Sequence, residues 1–296
     1  MPDTPYRNLA DLIGCQVAEH HARRLLDGDD PEGDWSYRRF GDEAFRIAHA
    51  CRTLGVRPGA AVALLPSSDL RGILTIFAVW MIGARVTVVD EAGDLHRVRS
   101  LASSRVLFGP AAQAAPMRKA VAQVRGARAV TFDVPAPQCD DLAQRISRSD
   151  SRFNPDTEVS LAAPAWLDTG PPEAVLDQGQ IIARAVELAR VTALTEGKLL
   201  LDAASDARCS LSGVVAWTAA LLGGARIRRL STPAGGRVWE ECAEHSARLV
   251  LLDARVAAGL PPSPAALPRP RVLFARGRGA DTRAIASRLG ADTLRA

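Results

Sequence analysis

The chain has 296 residues, of which 47% are apolar and 24% charged, ordinary globular proportions that exclude disorder as the global state. Its five Cys (Cys15, Cys51, Cys139, Cys209, Cys242) form no Cys-x-x-Cys or Cys-x-x-His pair; that excludes a disulfide-dense scaffold, argues against a zinc site and suits reduced thiols in a cytoplasm. The net charge of +4 comes mostly from Arg dispersed among Asp and Glu, with only Lys119 and Lys198 as lysines and 5% aromatics, so the basic stripe with stacking rings of a nucleic-acid binder is not expected.

The length allows one large or two modest domains. Leu9, Leu12, Ile13 and Val17 predict an amphipathic helix over Leu9–His20. Arg24–Leu26 and Trp35–Tyr37 flank Asp27-Gly28-Asp29 and read as a hairpin. A helix over Phe40–Leu54 stops at Gly55, and a short strand follows at Ala61–Leu65. Helix Leu70–Ile82 ends at Gly83 and leads into strand Arg85–Val89. Helix Leu95–Ser103, strand Arg105–Phe108, helix Ala111–Val124 and strand Ala127–Phe132 complete the first half.

The polar stretch Arg148–Thr157 reads as a linker between lobes at 1–150 and 151–296. Strand Val159–Ala163, helix Gln178–Leu194, strand Lys198–Leu201, helix Leu211–Leu222 and strand Ala225–Leu230 follow. Helix Arg237–His245, strand Ala247–Leu252, a Pro-rich loop at Pro261–Pro270, strand Arg271–Ala275 and helix Thr282–Leu289 end the chain. Strands separated by such helices predict an α/β protein with mainly parallel sheets. The longest apolar runs, Gly72–Ala84 and Leu211–Ala225, are shorter than the ~20 residues of a membrane span. With no signal-peptide core at Met1-Pro2-Asp3-Thr4, the expectation is a cytoplasmic protein without a membrane partner. The two halves share a fragment: Ala78–Val86 parallels Trp217–Ile227, each an apolar helix, a Gly stop and a strand opening on Gly-Ala-Arg. Any βαβ fold could produce this; so could a fold with two similar sheets.

Trp35-Ser36-Tyr37, then Leu54-Gly55-Val56-Arg57-Pro58-Gly59, Val62–Leu65 and Met81-Ile82-Gly83-Ala84 before Val86–Asp90 together resemble the opening of the adenylate-forming superfamily. That family includes acyl-CoA synthetases, nonribosomal-peptide adenylation domains and luciferases. The resemblance implies its N-terminal domain: two mainly parallel sheets with packed helices. In that family a strand runs into Thr-Ser-Gly-Thr-Thr-Gly-x-Pro-Lys-Gly-Val, whose small residues let backbone N–H groups approach the ATP phosphates while Lys adds positive charge.

The equivalent stretch here is Ala165-Trp166-Leu167-Asp168-Thr169-Gly170-Pro171-Pro172-Glu173-Ala174-Val175. Thr169, Gly170, Pro172 and Val175 keep the frame. Trp166 replaces Ser, Leu167 a Gly and Asp168 a Thr; Glu173 stands in the Lys position and Ala174 in that of the last Gly. At about 4 Å and an effective dielectric near 20, unit charges interact by about 4 kcal/mol, so the Lys-to-Glu change turns attraction into repulsion. The resemblance therefore implies weak or absent ATP and magnesium binding.

Leu267–Leu289 resembles the family's "Leu-Arg, strand, Gly-Gly, helix" segment, with Arg276-Gly277-Arg278-Gly279 departing from the Gly-Gly. The family's Tyr-Gly-x-Thr-Glu motif is expected to begin about where this sequence ends, so the resemblance covers an N-terminal portion. An unpaired sheet edge or apolar face is expected where the rest would pack. Neither Lys119 nor Lys198 sits in the context of the family's catalytic Lys, and Asp202–Arg208, where catalytic members carry a His-bearing segment, offers Asp202 and Asp206 instead.

His20, His21, His49 and His245 fall on or beside predicted helices and read as surface or boundary residues. Cys209-Ser210-Leu211-Ser212-Gly213 lacks the first Gly of a hydrolase elbow and reads as a helix N-cap beside a buried thiol. Gly277-Arg278-Gly279 lacks the rest of a dinucleotide fingerprint. No catalytic or metal-binding residue is assigned. The expectation is an inactive adenylation-like protein, unable to adenylate alone. It serves as an accessory or scaffold subunit in acyl or aminoacyl biosynthesis, with a protein partner such as a carrier protein or biosynthetic ligase, or as a homo-oligomer. The alternatives are the N-terminal half of a split AMP-forming ligase, an enzyme of ATP-independent acyl chemistry, and a decaying gene product.

Overall fold

The computed structural model describes residues 5–28, 33–89, 105–149, 159–168, 174–231, 236–264, 271–276, 280–289 and 292–294. Contacts divide the chain into two units, Met1–Gly14 with Gly41–Ile181, and Cys15–Phe40 with Ile182–Ala296. This division is discontinuous, where the sequence reading drew one cut at residue 150. Its cause is strand pairing, because an early hairpin joins a late sheet and a late hairpin joins an early one.

The early elements are α1 (Leu9–His20), β1 (Arg24–Gly28), β2 (Trp35–Ser36), α2 (Tyr37–Thr53), β3 (Ala61–Leu64), α3 (Leu70–Met81), β4 (Arg85–Val88), β5 (Val106–Gly109), α4 (Ala114–Val121), β6 (Arg128–Thr131), β7 (Asp140–Asp141) and α5 (Leu142–Ser147). The later ones are β8 (Pro164–Asp168), β9 (Ala174–Asp177), α6 (Gln178–Thr192), β10 (Leu199–Ala203), α7 (Leu211–Leu222), β11 (Arg226–Arg229), α8 (Arg237–Glu244), β12 (Leu249–Asp253), α9 (Ala254–Ala258), β13 (Arg271–Arg276), α10 (Ala280–Leu289) and β14 (Asp292–Leu294).

The first unit holds a seven-stranded sheet in the order β7-β6-β5-β3-β4-β8-β9, and the second a seven-stranded sheet in the order β14-β13-β12-β10-β11-β1-β2. Among the described residues, only the β8–β9 and β1–β2 pairs are antiparallel. Central strands such as Ala61–Leu64 and Leu199–Ala203 are buried along their whole length, as expected of parallel strands covered on both faces. The first sheet packs Ala63, Leu65, Val89, Leu107 and Ala129 against Met117 of α4. The second packs Leu201, Val250, Leu252 and Val272 against Trp239 and Cys242 of α8.

The shared fragment seen in the sequence reflects two sheets of the same topology. Strands β3 to β7 correspond to β10 to β14, and hairpin β8–β9 to hairpin β1–β2. The register agrees as well: Trp166 of β8 lies opposite Val86, and Leu26 of β1 opposite Ile227. Asp69 and Ser210 cap the equivalent helices α3 and α7. Those helices end on Gly83 (φ +78°) and Gly224 (φ +65°), left-handed positions that a residue with a Cβ resists.

One expected strand is displaced. Val159–Ala163 is not extended into the sheet; Ala163 N–H donates to Ser160 O at 3.0 Å in a turn, and the strand starts at Pro164. Strands β7, β9 and β14 and helices α5 and α9 are additions to the sequence reading. The helix expected at Leu95–Ser103 lies outside the described residues, as does most of the expected linker. Among the described residues no helix is long and apolar enough to cross a membrane.

Candidate functional site

The stretch expected to carry a phosphate loop is the β8–β9 hairpin. Its ladder pairs Trp166 with Leu176, Leu167 with Val175 and Asp168 with Ala174. Residues read from the sequence as loop are therefore strand, and β8 also pairs with β4 on its other side.

The side chains follow the strand alternation. Trp166 is only 5% exposed and meets Trp80 edge to face, ring centroids 6.5 Å apart. Trp80 in turn donates its indole N–H to Ala165 O at 2.6 Å. Leu167 points the other way, against the cluster around Leu65, Leu107 and Met117. Trp166 and Leu167 are thus both packing residues of the sheet. Ala174 is exposed at the start of β9. Thr169, Gly170, Pro172 and Glu173 lie outside the described residues, as does the side chain of Asp168.

The base of the hairpin is held by polar groups the sequence reading missed. Gln178 is fully buried at the start of α6; its amide donates to Trp80 O at 2.8 Å and its Oε1 accepts from Leu9 N–H at 2.9 Å. Asn8 donates to Val159 O at 2.8 Å, which explains why Val159 is tied down outside the sheet. The only sequence signal was Asn immediately before a helical run, an N-cap preference.

In the second unit, Asp202 ends up fully buried, not facing a cleft. One oxygen accepts from Ala204 N–H at 3.0 Å; the other takes the Trp217 indole N–H at 3.0 Å and lies 3.1 Å from Nε of buried Arg208. Both lone-pair-bearing oxygens are committed, so this carboxylate is a structural counter-ion. The side chain of Asp206 lies outside the described residues. Ser210 accepts from Gly213 N–H at 3.3 Å, and Cys209 is buried, matching the N-cap reading. Burial pushes the Cys51 thiol up to about 12 and raises Cys242 as well, which removes both from nucleophilic chemistry. His20, read from the sequence as a surface or boundary residue, is buried against Tyr37, 5.3 Å between rings.

Glu241, Glu244 and His245 of the α8 region lie within 4.8 Å of one another, a spacing that could hold a cation. The Arg228 guanidinium grips both Glu241 oxygens, and Arg237 lies 3.6 Å from one of them. Two guanidinium charges on the central ligand oppose a divalent ion.

A family model described as AMP-binding enzyme matches residues 15–183. Among solved structures, an anthranilate CoA ligase in complex with anthranoyl-AMP matches with TM-score 0.77 and 14% identity over 98% of this chain and 60% of its own. The luciferase-like enzyme of the mealworm Zophobas morio gives 0.76 and 12%, over 99% and 73%. A benzoate CoA ligase from Burkholderia xenovorans gives 0.73 and 15%, over 97% and 60%. At these identities the likeness is one of fold. No curated protein matches the chain in sequence.

Proposed function

The chain belongs to the AMP-binding enzyme family, and from that premise we propose that it is a member that does not adenylate by itself and works by binding another protein in acyl or aminoacyl metabolism. The observation that carries the proposal is the β8–β9 ladder, which runs through Trp166, Leu167 and Asp168 where the family's small phosphate-contacting residues stand. The residues present do not fit a triphosphate. Two bulky side chains are locked into the sheet, and Glu173 supplies the wrong sign of charge at the Lys position. Asp202, at the end of β10, is itself committed to Ala204, Trp217 and Arg208 and is not free to act on a substrate. The substrate class of the relatives, aryl and acyl acids, gives the metabolic setting of the partner.

A second reading makes the chain one part of a ligase completed by another polypeptide; it draws on the 60% span of the anthranilate CoA ligase. Calorimetry with magnesium and ATP on the wild type beside Glu173→Lys separates the two. The proposal expects no heat from the wild type. Micromolar binding by the wild type overturns it and puts the second reading first.

A further inference from the structure

The two units differ in how the amino ends of their strands are charged. In both sheets Arg opens or immediately precedes matching strands: Arg85, Arg105 and Arg128 in the first, Arg226, Arg248 and Arg271 in the second. In the second unit these charges are interleaved with acids. Arg226 lies 3.4 Å from Asp27, Arg271 stands opposite Asp292 in the ladder, and Glu244 projects 73% exposed at the end of α8.

Along β5, α4 and the turn into β6 the first unit has no acid of its own. Residues 105–132 contain Arg105, Arg118, Lys119, Arg125 and Arg128 and no Asp or Glu. The dispersed Arg pattern of the whole chain does not hold in this stretch. Arg128 N–H donates to Arg105 O at 2.8 Å, so the two are neighbours at the strand openings. Lys119 sits in the last turn of α4, and Arg125 in the turn that returns to β6. Because α4 runs back across β5 and β6, these groups collect at one edge of the sheet. Arg105, Lys119, Arg125 and Arg128 are all exposed. Among the described residues, Arg105, Lys119 and Arg125 have no ion-pair partner; Arg128 reaches Asp140 at 3.5 Å. The carboxyl end of α4 accounts for Arg118 and Lys119, but not for the strand-opening Arg105 and Arg128.

We propose that this edge of the first unit is a docking face for an acidic protein segment. The proposal rests on the reading of the chain as a binding protein and says where the partner engages. Charge complementarity favours such a partner, since unpaired cations of one sign steer and hold an opposite surface. A nucleic acid is disfavoured because Phe108 and Phe132, the aromatics of this stretch, are fully buried and stacked on each other at 5.9 Å, leaving no ring for a base. An anionic membrane is disfavoured because none of the exposed large apolar residues among those described (Val134, Val175, Val186) falls in it.

The test uses the full chain and fluorescein-labelled poly-glutamate peptide, read by anisotropy at about 50 mM salt, where surface charges are weakly screened. The triple variant Arg105→Glu/Lys119→Glu/Arg125→Glu is expected to bind at least about tenfold more weakly, and Arg248→Glu, on the matching edge of the second unit, within about twofold of wild type. The milder pair Arg105→Gln/Lys119→Gln, expected to weaken binding in the same direction, guards against a triple variant that fails to fold. Equal losses from Arg248→Glu, or tighter binding to oligo-dT or phosphatidylserine vesicles than to the peptide, overturn the proposal. Heat with magnesium and ATP combined with peptide binding lost only in the triple variant would sink the non-adenylating reading and leave the docking face standing.

Discussion

The two sheets of this molecule are built to one plan, and their differences show where that plan is under load. Each takes five parallel strands in sequence and completes its edge with a hairpin, which in the first unit follows those strands and in the second comes from the separate early segment Cys15–Phe40. At the carboxyl end of the central strand the plans part. The first unit places Leu64, fully buried, where the second places Asp202. The second unit also carries a longer passage from strand to helix, a 3-10 turn at Ser205–Cys209 that delivers Arg208 to the carboxylate. The apolar solution needs no partner. The ionic one needs every contact it makes, because a buried charge left alone is far more costly than the pair is stabilising.

The largest expected effect breaks that pair. Arg208→Ala strands Asp202 among buried groups and is expected to cost about 3–5 kcal/mol in urea unfolding. Asp202→Leu/Arg208→Met, which gives the second sheet the first sheet's chemistry, is expected to recover most of the loss. A double variant as unstable as the single one would mean that the ion pair supports the turn in a way apolar packing cannot replace. Next in size is Gly223→Ala. Its counterpart at the end of α3 is Ile82, fully buried and accommodated. At Gly223 a Cβ would stand 1.9 Å from the Leu194 carbonyl oxygen. The backbone φ is ordinary at −81°, so the cost is purely steric, about 3 kcal/mol. A melt unchanged by this substitution would show that the Leu194 loop yields freely.

Much of this fold was legible in the sequence. The alternation of apolar strands and helices, the Gly stops at Gly83 and Gly224 and the hairpin at Asp27-Gly28 all carry local signals. The position of β8 was not, because Val159–Ala163 and Ala165–Asp168 are both apolar enough for a strand. The choice is made by Asn8 and Gln178, residues more than 150 positions from one or more of their partners. Periodicity cannot show which of two adjacent apolar runs the sheet adopts, so the places of Trp166 and Leu167 in it were not legible either. The identity of their neighbours, Trp80 on one face and Met117 on the other, is tertiary information.

A smaller effect separates the sheets by pH. On β11, Arg228 binds Glu241 of α8 and lies 3.4 Å from Asp27, whereas the matching position on β4 is Thr87. Arg228 hydrogen bonding holds the Glu241 carboxyl below its ordinary value of 4.5. Arg237 and His245 also face it, with Glu244 beside His245. A lowered folded-state pKa means the stability is fully present above the unfolded value and is lost as pH falls through the folded one. Glu241→Gln is therefore expected to cost about 1 kcal/mol near neutrality, after discounting for solvent screening, and progressively less as the medium is acidified below pH 4.5. An equal loss at all pH values would assign the effect to packing of α8 instead of charge.

The smallest effect comes from the helix ends, where the two units solve one problem with different residues. Both α2 and α6 close with a bond that reaches back five positions from just past the helix, Val56 N–H to Cys51 O and Leu194 N–H to Ala189 O. That closure forces the intervening residue into the left-handed region. The first unit uses Gly55 at φ +94°, and the second uses Ala193 at φ +51°. An alanine there carries a conformational cost of about 1 kcal/mol that glycine avoids, partly offset by the greater freedom glycine gives the unfolded chain. Ala193→Gly is thus expected to stabilise the protein by a few tenths of a kcal/mol, about 1 at most, and to raise the melting temperature slightly. Gly55→Ala is expected to act in the opposite direction and by more, because its φ lies further from the left-handed region that alanine can reach. If both substitutions shifted the melt the same way, the closing bond, and not the backbone conformation, would govern these helix ends.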